Sequence, residues 1–261
     1  MQAASSDAGR VIRSTKLSAR VGLLAALLAL ATAATAQGGQ GSAFQPPDPA
    51  RNIPIDYTAL PPACDAAPSG AACETYAVAQ LDHSRAVMGL PAYPLPRNFL
   101  HLPPGAQLLM LTNLDRASYK IPPVAGLNLT LDGVAGSAAS AGQDPAPPSG
   151  FFANLQEAGW ASNWAGGMPD ILFAYDAWMY DDGYGTGNIA CPTRGSDGCW
   201  GHRHDVFSFP TLTTTAMGVA VARFNGQPSF TQLIVATFPQ PEPAAQLAYT
   251  LTWSALSRHS A

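Results

Sequence analysis

The residues able to do chemistry crowd into one stretch of this chain. Cys199-Trp200-Gly201-His202-Arg203-His204-Asp205 follows the carboxylate pair Asp181-Asp182 by about twenty residues. An imidazole oriented by a carboxylate serves as a general base, or as a metal ligand with a supporting acceptor. His202 with Asp181 is therefore the candidate pair, and His204, Asp182 and Asp205 are further donors close in sequence. A carboxylate and a histidine in a helix-capping turn also satisfy backbone groups, and that structural role is the competing reading.

The intervening segment 181–188 (DDGYGTGN) is rich in oxygen and glycine but lacks the D-x-D-x-D-G spacing of a calcium loop. It reads as a Gly-rich excursion held by a disulfide. The four cysteines are Cys64, Cys73, Cys191 and Cys199. An even number in an oxidising compartment favours disulfides, with three possible pairings. Proximity suggests Cys64–Cys73 and Cys191–Cys199, and closing so short a loop stabilises by roughly 2–3 kcal/mol. A metal site of Cys191, Cys199 and His202 is the alternative, but the paired C-x-x-C spacing of structural zinc sites is missing. There is no G-x-S-x-G, no H-E-x-x-H and no phosphate-cradling glycine loop. Trp160, Trp164, Tyr175, Trp178, Tyr180, Tyr184 and Trp200 crowd the same region, as core or as apolar or carbohydrate-binding walls.

Residues 1–36 read as a signal peptide: Arg10, Arg13, Lys16 and Arg20, then the apolar run 21–31, then an A-x-A cleavage site at Ala34-Thr35-Ala36. The apolar run is too short to span a bilayer, so no stable membrane span is expected after cleavage. Without that leader, nine Lys and Arg face sixteen Asp and Glu. A negative balance with so few cations argues against nucleic acid, which requires clustered positive charge. The expected location is extracellular or the cell envelope.

Periodicity places the elements that must hold this chemistry. Residues 37–56 form a flexible Gly- and Pro-rich lead-in, and 57–104 an N-terminal helical extension with a helix over 74–88. A second helix is expected over 106–119, a third over 127–142, and a fourth from the N-cap Asp170 to Tyr180. Strands over 215–224 and 230–238 join across Asn225-Gly226, a hairpin signal because both residues tolerate positive φ. Leu247, Tyr249, Leu251 and Trp253 alternate with polar or small residues and predict a third strand. Helices first and hairpins afterwards indicate α+β, with an antiparallel sheet covered by helices. Asn128-Leu129-Thr130 is formally an N-glycosylation acceptor, but it falls on a predicted helix.

Several segments, in order, resemble the CAP superfamily (cysteine-rich secretory, antigen and pathogenesis-related proteins; the SCP-like extracellular domain) in its bacterial secreted branch. Residues 111–124 (LTNLDRASYKIPPV) resemble the family's N-x-x-R helix running into a Pro-Pro turn. Residues 162–167 (SNWAGG) stand where G-E-N-x-A-x-G is found, 174–181 (AYDAWMYD) resemble the W-x-x-E helix, and 201–206 (GHRHDV) the G-H element. Residues 217–221 and 230–235 match the final strands. The resemblance covers 105–238 and leaves 239–261 as a C-terminal extension.

It implies a three-layer α/β/α sandwich with a surface groove lined by two histidines and two acidic residues, able to hold a divalent cation such as zinc or magnesium. His202 matches the second histidine and Asp181 the W-x-x-E carboxylate. Ser162, beside Asn163, replaces the glutamate of G-E-N, and Gln143 and Asp144 stand where the first histidine belongs. The expected groove is Ser162, Asn163, Trp164, Asp181 and His202, with His202 and Asp181 as metal ligands. The expected function is an extracellular binding module for an apolar small molecule, a glycan, a protein or a metal, rather than an enzyme. The alternatives are a metal-assisted hydrolase using His202 and Asp181, and an inert scaffold.

Overall fold

A computed structural model describes residues 45–56, 59–62, 64, 67, 69–148, 150–152, 157–238 and 247–258. The leader expected over 1–36, the first part of the lead-in (37–44) and the Pro-rich break at 239–243 lie outside these residues. The architecture is mixed α/β, consistent with α+β: a five-stranded sheet with several helices.

Helix α1 (Ala71–Val87) buries Cys73, Ala77, Leu81, Ser84 and Arg85, a stripe at helical spacing. Helix α2 (Pro104–Ser118) starts with proline in its first turn, where no intrahelical N–H is needed, and buries every residue from Ala106 to Asn113. Strand β1 (Gly126–Leu127) leads into α3 (Leu129–Ala141), which Asn128 caps by accepting the Leu131 N–H at 3.0 Å. Gly142 closes α3 at φ 69°, a left-handed position where the Phe224 ring leaves no room for a Cβ. Strand β2 (Glu157–Gly166), not anticipated from periodicity, precedes α4 (Ile171–Tyr180). The expected cap holds: Asp170 accepts the Leu172 and Phe173 amides at 2.8 and 3.3 Å.

After the short helix α5 (Gly201–Val206), strands β3 (Thr215–Phe224) and β4 (Gln227–Thr237) form the expected hairpin. Asn225 and Gly226 turn it with φ of 50° and 79°. The C-terminal expectation is corrected. Only Leu251–Thr252 form a strand, β5, and Thr252 then caps helix α6 (Trp253–Ser257) by accepting the Ala255 amide at 3.2 Å. The sheet is also not purely antiparallel. Its order is β2-β4-β3-β1-β5, and β1 lies parallel to β3, the long connection between them running through α3, β2, α4 and α5.

Strand parity assigns the faces. Ala216, Leu233 and Val235 join Leu131 of α3 in one apolar cluster, whereas Met217, Ile234 and Phe230 join the larger core with α2 and α4. Ser229 and Thr231 donate to the Ala139 and Ala135 carbonyls of α3 at 2.6 and 2.9 Å, so that helix sits close on its face. Ile53, Cys73, Leu81 and Phe99 belong to the same larger core as α2 and α4.

Polar side chains lock that core. Asn113 exchanges two hydrogen bonds with the Val124 backbone, at 2.9 and 2.7 Å. Arg116 donates to the carbonyls of Pro122, Val206 and Ser208. Asp115 pairs with Arg85 and accepts the hydroxyls of Tyr93 and Tyr175 at 2.6 and 2.7 Å. These residues of segment 111–124 are therefore structural clamps. The disulfides are Cys64–Cys73 and Cys191–Cys199, as proximity suggested. No helix among the described residues is long and apolar enough to cross a membrane.

Candidate functional site

The site is built where α4 stops. Asp182, just past the helix, is 2 % exposed, and its backbone carbonyl accepts the Trp200 amide at 3.1 Å. Between them the chain makes the Gly-rich excursion. Asn188 draws it together, with one amide nitrogen donating to the Asp182 carbonyl, the Asp182 carboxylate and the Gly198 carbonyl at 2.8, 2.7 and 2.9 Å. The Cys191–Cys199 disulfide closes the same loop. Trp200 then takes a left-handed φ of 62°, and α5 begins with His202 facing Asp182.

The partner of His202 is Asp182, which corrects the expected pairing with Asp181. Oδ1 of Asp182 lies 2.6 Å from Nδ1 of His202, and Oδ2 accepts the His202 backbone N–H at 2.9 Å. The reason is the helix end: Asp181 is the C-cap of α4, with its own amide bonded to the Ala177 carbonyl. Its Oδ1 is buried with no partner among the described residues. Burial, then the Asp182 charge, push the Asp181 carboxyl up to about 6.

No described residue hydrogen-bonds Nε2 of His202, whose side chain is 22 % exposed. Burial disfavours its cation, but the Asp182 hydrogen bond and charge, with the charges of Asp144 and Asp205, outweigh that and raise its pKa. Asp205 is pushed up to about 7 by burial and by Asp144, against the opposing pull of His202. Asp144 also feels His202, and the Trp164 backbone N–H supports its carboxylate. Asp144, just past the end of α3, thus comes into the electrostatic reach of His202.

The other expected groove residues do not converge there. Asn163 is wholly buried and donates to Gln232 at 3.0 Å, which in turn donates to Thr112 of α2 at 2.9 Å. Ser162 and Trp164 alternate with it on β2 and face the other side of the sheet, where the Trp164 indole donates to Ser229 at 2.9 Å. His204 turns away, its Nε2 lying 2.9 Å from Asp48. Tyr175, Trp178 and Tyr180 are core residues, whereas Trp160 and Tyr184 remain exposed. Among the described residues, no group of three or more His, Cys, Asp or Glu side chains is arranged to hold a metal ion. The donors near His202 therefore do not fit the zinc or magnesium site that the resemblance implies. Asn128 is buried, with both ends of its amide bonded inside the fold, so it is not an accessible glycosylation site.

What can be done with the site is narrower than a metal centre. Nδ1 is committed to Asp182, and Nε2 has no hydrogen-bond partner among the described residues. The chain matches no protein-family model and no curated protein. The resemblance rests on its own ordered residues.

Proposed function

We propose that this chain is a secreted CAP-like domain, an α/β/α sandwich braced by two disulfides, that acts in the extracellular space or the cell envelope as a binding module. The order of the elements supports the family reading. The N-x-x-R segment lies on α2, residues 162–167 end β2, the W-x-x-D segment lies on α4, and the Gly-His pair opens α5 ahead of the hairpin. Two disulfides in a chain whose sequence carries a leader pattern support export.

The observation that carries the site is the orientation of His202. Asp182 holds the ring by Nδ1 and the backbone by N–H, which leaves Nε2 without a hydrogen bond among the described residues, and the charges of Asp144 and Asp205 act on the ring. An acceptor-rich site of this kind suits a small ligand bearing several hydroxyl donors, and glycans are the class that fits. The test is NMR observation of the His202 ring nitrogens during titration with neutral oligosaccharides. Binding should shift Nε2, and His202→Ala should abolish it. If no oligosaccharide moves the ring, or the variant binds as well as the parent, the reading is wrong. Zinc and magnesium should not raise the melting temperature.

A hydrolase is the second reading, supported by two observations. His202 has the carboxylate-oriented geometry of a general base, and Asp205, pushed up to about 7, can carry a proton near neutrality. Turnover of a glycosidic or ester substrate that disappears in both His202→Ala and Asp205→Asn would favour it over simple binding.

A further inference from the structure

A cleft lies between segment 48–52 and the Gly-rich excursion. It has a volume of about 410 Å³ and includes neither His202 nor Asp182. Arg51, Asn52, Tyr184, Arg194 and Trp200 are among the residues lining it. Beyond the leader the chain has nine Lys and Arg. Arg85, Arg116 and Arg203 are buried in the core. Of the six that remain at the surface, two line this one cleft. In a chain with an acidic balance, that concentration of positive charge points to an anion.

The cleft is also built rather than incidental. Asn52 bridges its two walls, donating to the Tyr184 carbonyl at 2.8 Å and accepting the Gly183 amide at 2.9 Å. A Cβ at Gly183 would press on both the Asn52 amide and the Trp200 indole, so these three groups are in close contact. The guanidinium of Arg194 lies over the Tyr184 ring, 5.3 Å from its centroid, with Tyr184 46 % exposed. Asp48 also lines the cleft, but its carboxylate already meets His204 at 2.9 Å and lies 3.8 Å from Arg203. Arg51 and Arg194 form no ion pair among the described residues. Aromatic walls accept the apolar face of a sugar ring, and arginine forks match a carboxylate.

We infer that this cleft is a binding subsite for the carboxylate-bearing ring of an acidic saccharide, held by Arg51 and Arg194 and stacked against Tyr184. It stands on residues separate from the His202 site, so either can fail without the other. The test is calorimetric titration of the purified full chain with trigalacturonate, its neutral methyl ester and inorganic sulfate. Trigalacturonate should bind at least about ten-fold more tightly than the ester, and Arg51→Gln and Arg194→Gln should each weaken it by about ten-fold. Both arginines are exposed, so these variants should keep the parent circular dichroism spectrum. Tyr184→Ala should weaken trigalacturonate and leave sulfate unchanged. The proposal is overturned if the ester binds as tightly, if both arginine variants bind like the parent, or if trigalacturonate does not bind. It is equally overturned if sulfate alone matches the saccharide, which would leave an anion site with no sugar recognition.

Discussion

One carboxylate holds His202 at two points: Asp182 meets the ring nitrogen Nδ1 at 2.6 Å and the backbone amide of the same residue at 2.9 Å. The first contact fixes which ring nitrogen is left without that carboxylate, and the second ties the start of α5 to it. A single buried side chain therefore joins the end of α4 to the start of α5.

Asp182→Asn should lower the His202 pKa, because it removes the charge that outweighs the burial penalty. Asp181→Asn should change it far less, because Asp181 makes no hydrogen bond to the ring. A proton-NMR titration of the His202 Hε1 signal measures both. Equal shifts in the two variants would contradict the assignment of Asp182 as the partner.

Stability should fall as pH rises from 5 to 8. Asp205 and Asp170 are pushed up to about 7 and Asp181 to about 6, from an ordinary 3.8. Over that window the folded chain holds protons that the unfolded chain has released, so their contribution is full below 3.8 and lost through 6–7. His202 acts in the same direction. Its raised pKa adds stability that is complete below 6.5 and is lost as pH passes the folded value. Melting temperatures across this range provide the measurement, and Asp205→Asn should flatten the slope. A melting temperature that climbs with pH would rule the explanation out.

Removing Asp115 should be severe. It is fully buried, pairs with Arg85 and accepts two tyrosine hydroxyls. Asp115→Ala strands the Arg85 cation in the core, with an expected loss of about 3–5 kcal/mol. Urea denaturation would read this, and a loss below about 1 kcal/mol would mean that the knot is not a unit.

Gly218→Ala should also destabilise, by about 1–3 kcal/mol or more. Its Cβ would strike the Leu131 carbonyl of α3, which is backbone and cannot swing aside. Gly226, with open space around it, lacks that clash, although its φ of 79° still favours glycine. A melting temperature for Gly218→Ala equal to that of the parent would disprove the close approach of α3.

Local patterns in the sequence were enough for four helices, the Asn225-Gly226 hairpin, the Asp170 cap and both disulfides. Each depends on interactions a few residues apart or on a strong turn preference. The strand β2 was not legible, because SNWAGG alternates too weakly and its pairing with β4 joins residues such as Asn163 and Gln232 from distant parts of the chain. The C-terminal alternation from Leu247 to Trp253 misled for the opposite reason. It has strand period, but only Leu251 and Thr252 find a partner in the short β1, and Thr252 caps a helix instead.

For the site, the sequence by itself determined the chemical inventory: the histidines His202 and His204, a pair of adjacent aspartates and a disulfide-bounded loop between them. Which aspartate meets the histidine was decided only in three dimensions. Asp181 is spent as the C-cap of α4, and the Asn188 staple returns the chain so that Asp182 faces His202. The same folding separates Asn163 into the core and brings Arg51 to Arg194 across more than half the chain. Pairings at such sequence distance leave no periodic trace, because they depend on where whole elements pack and not on the spacing of residues within one.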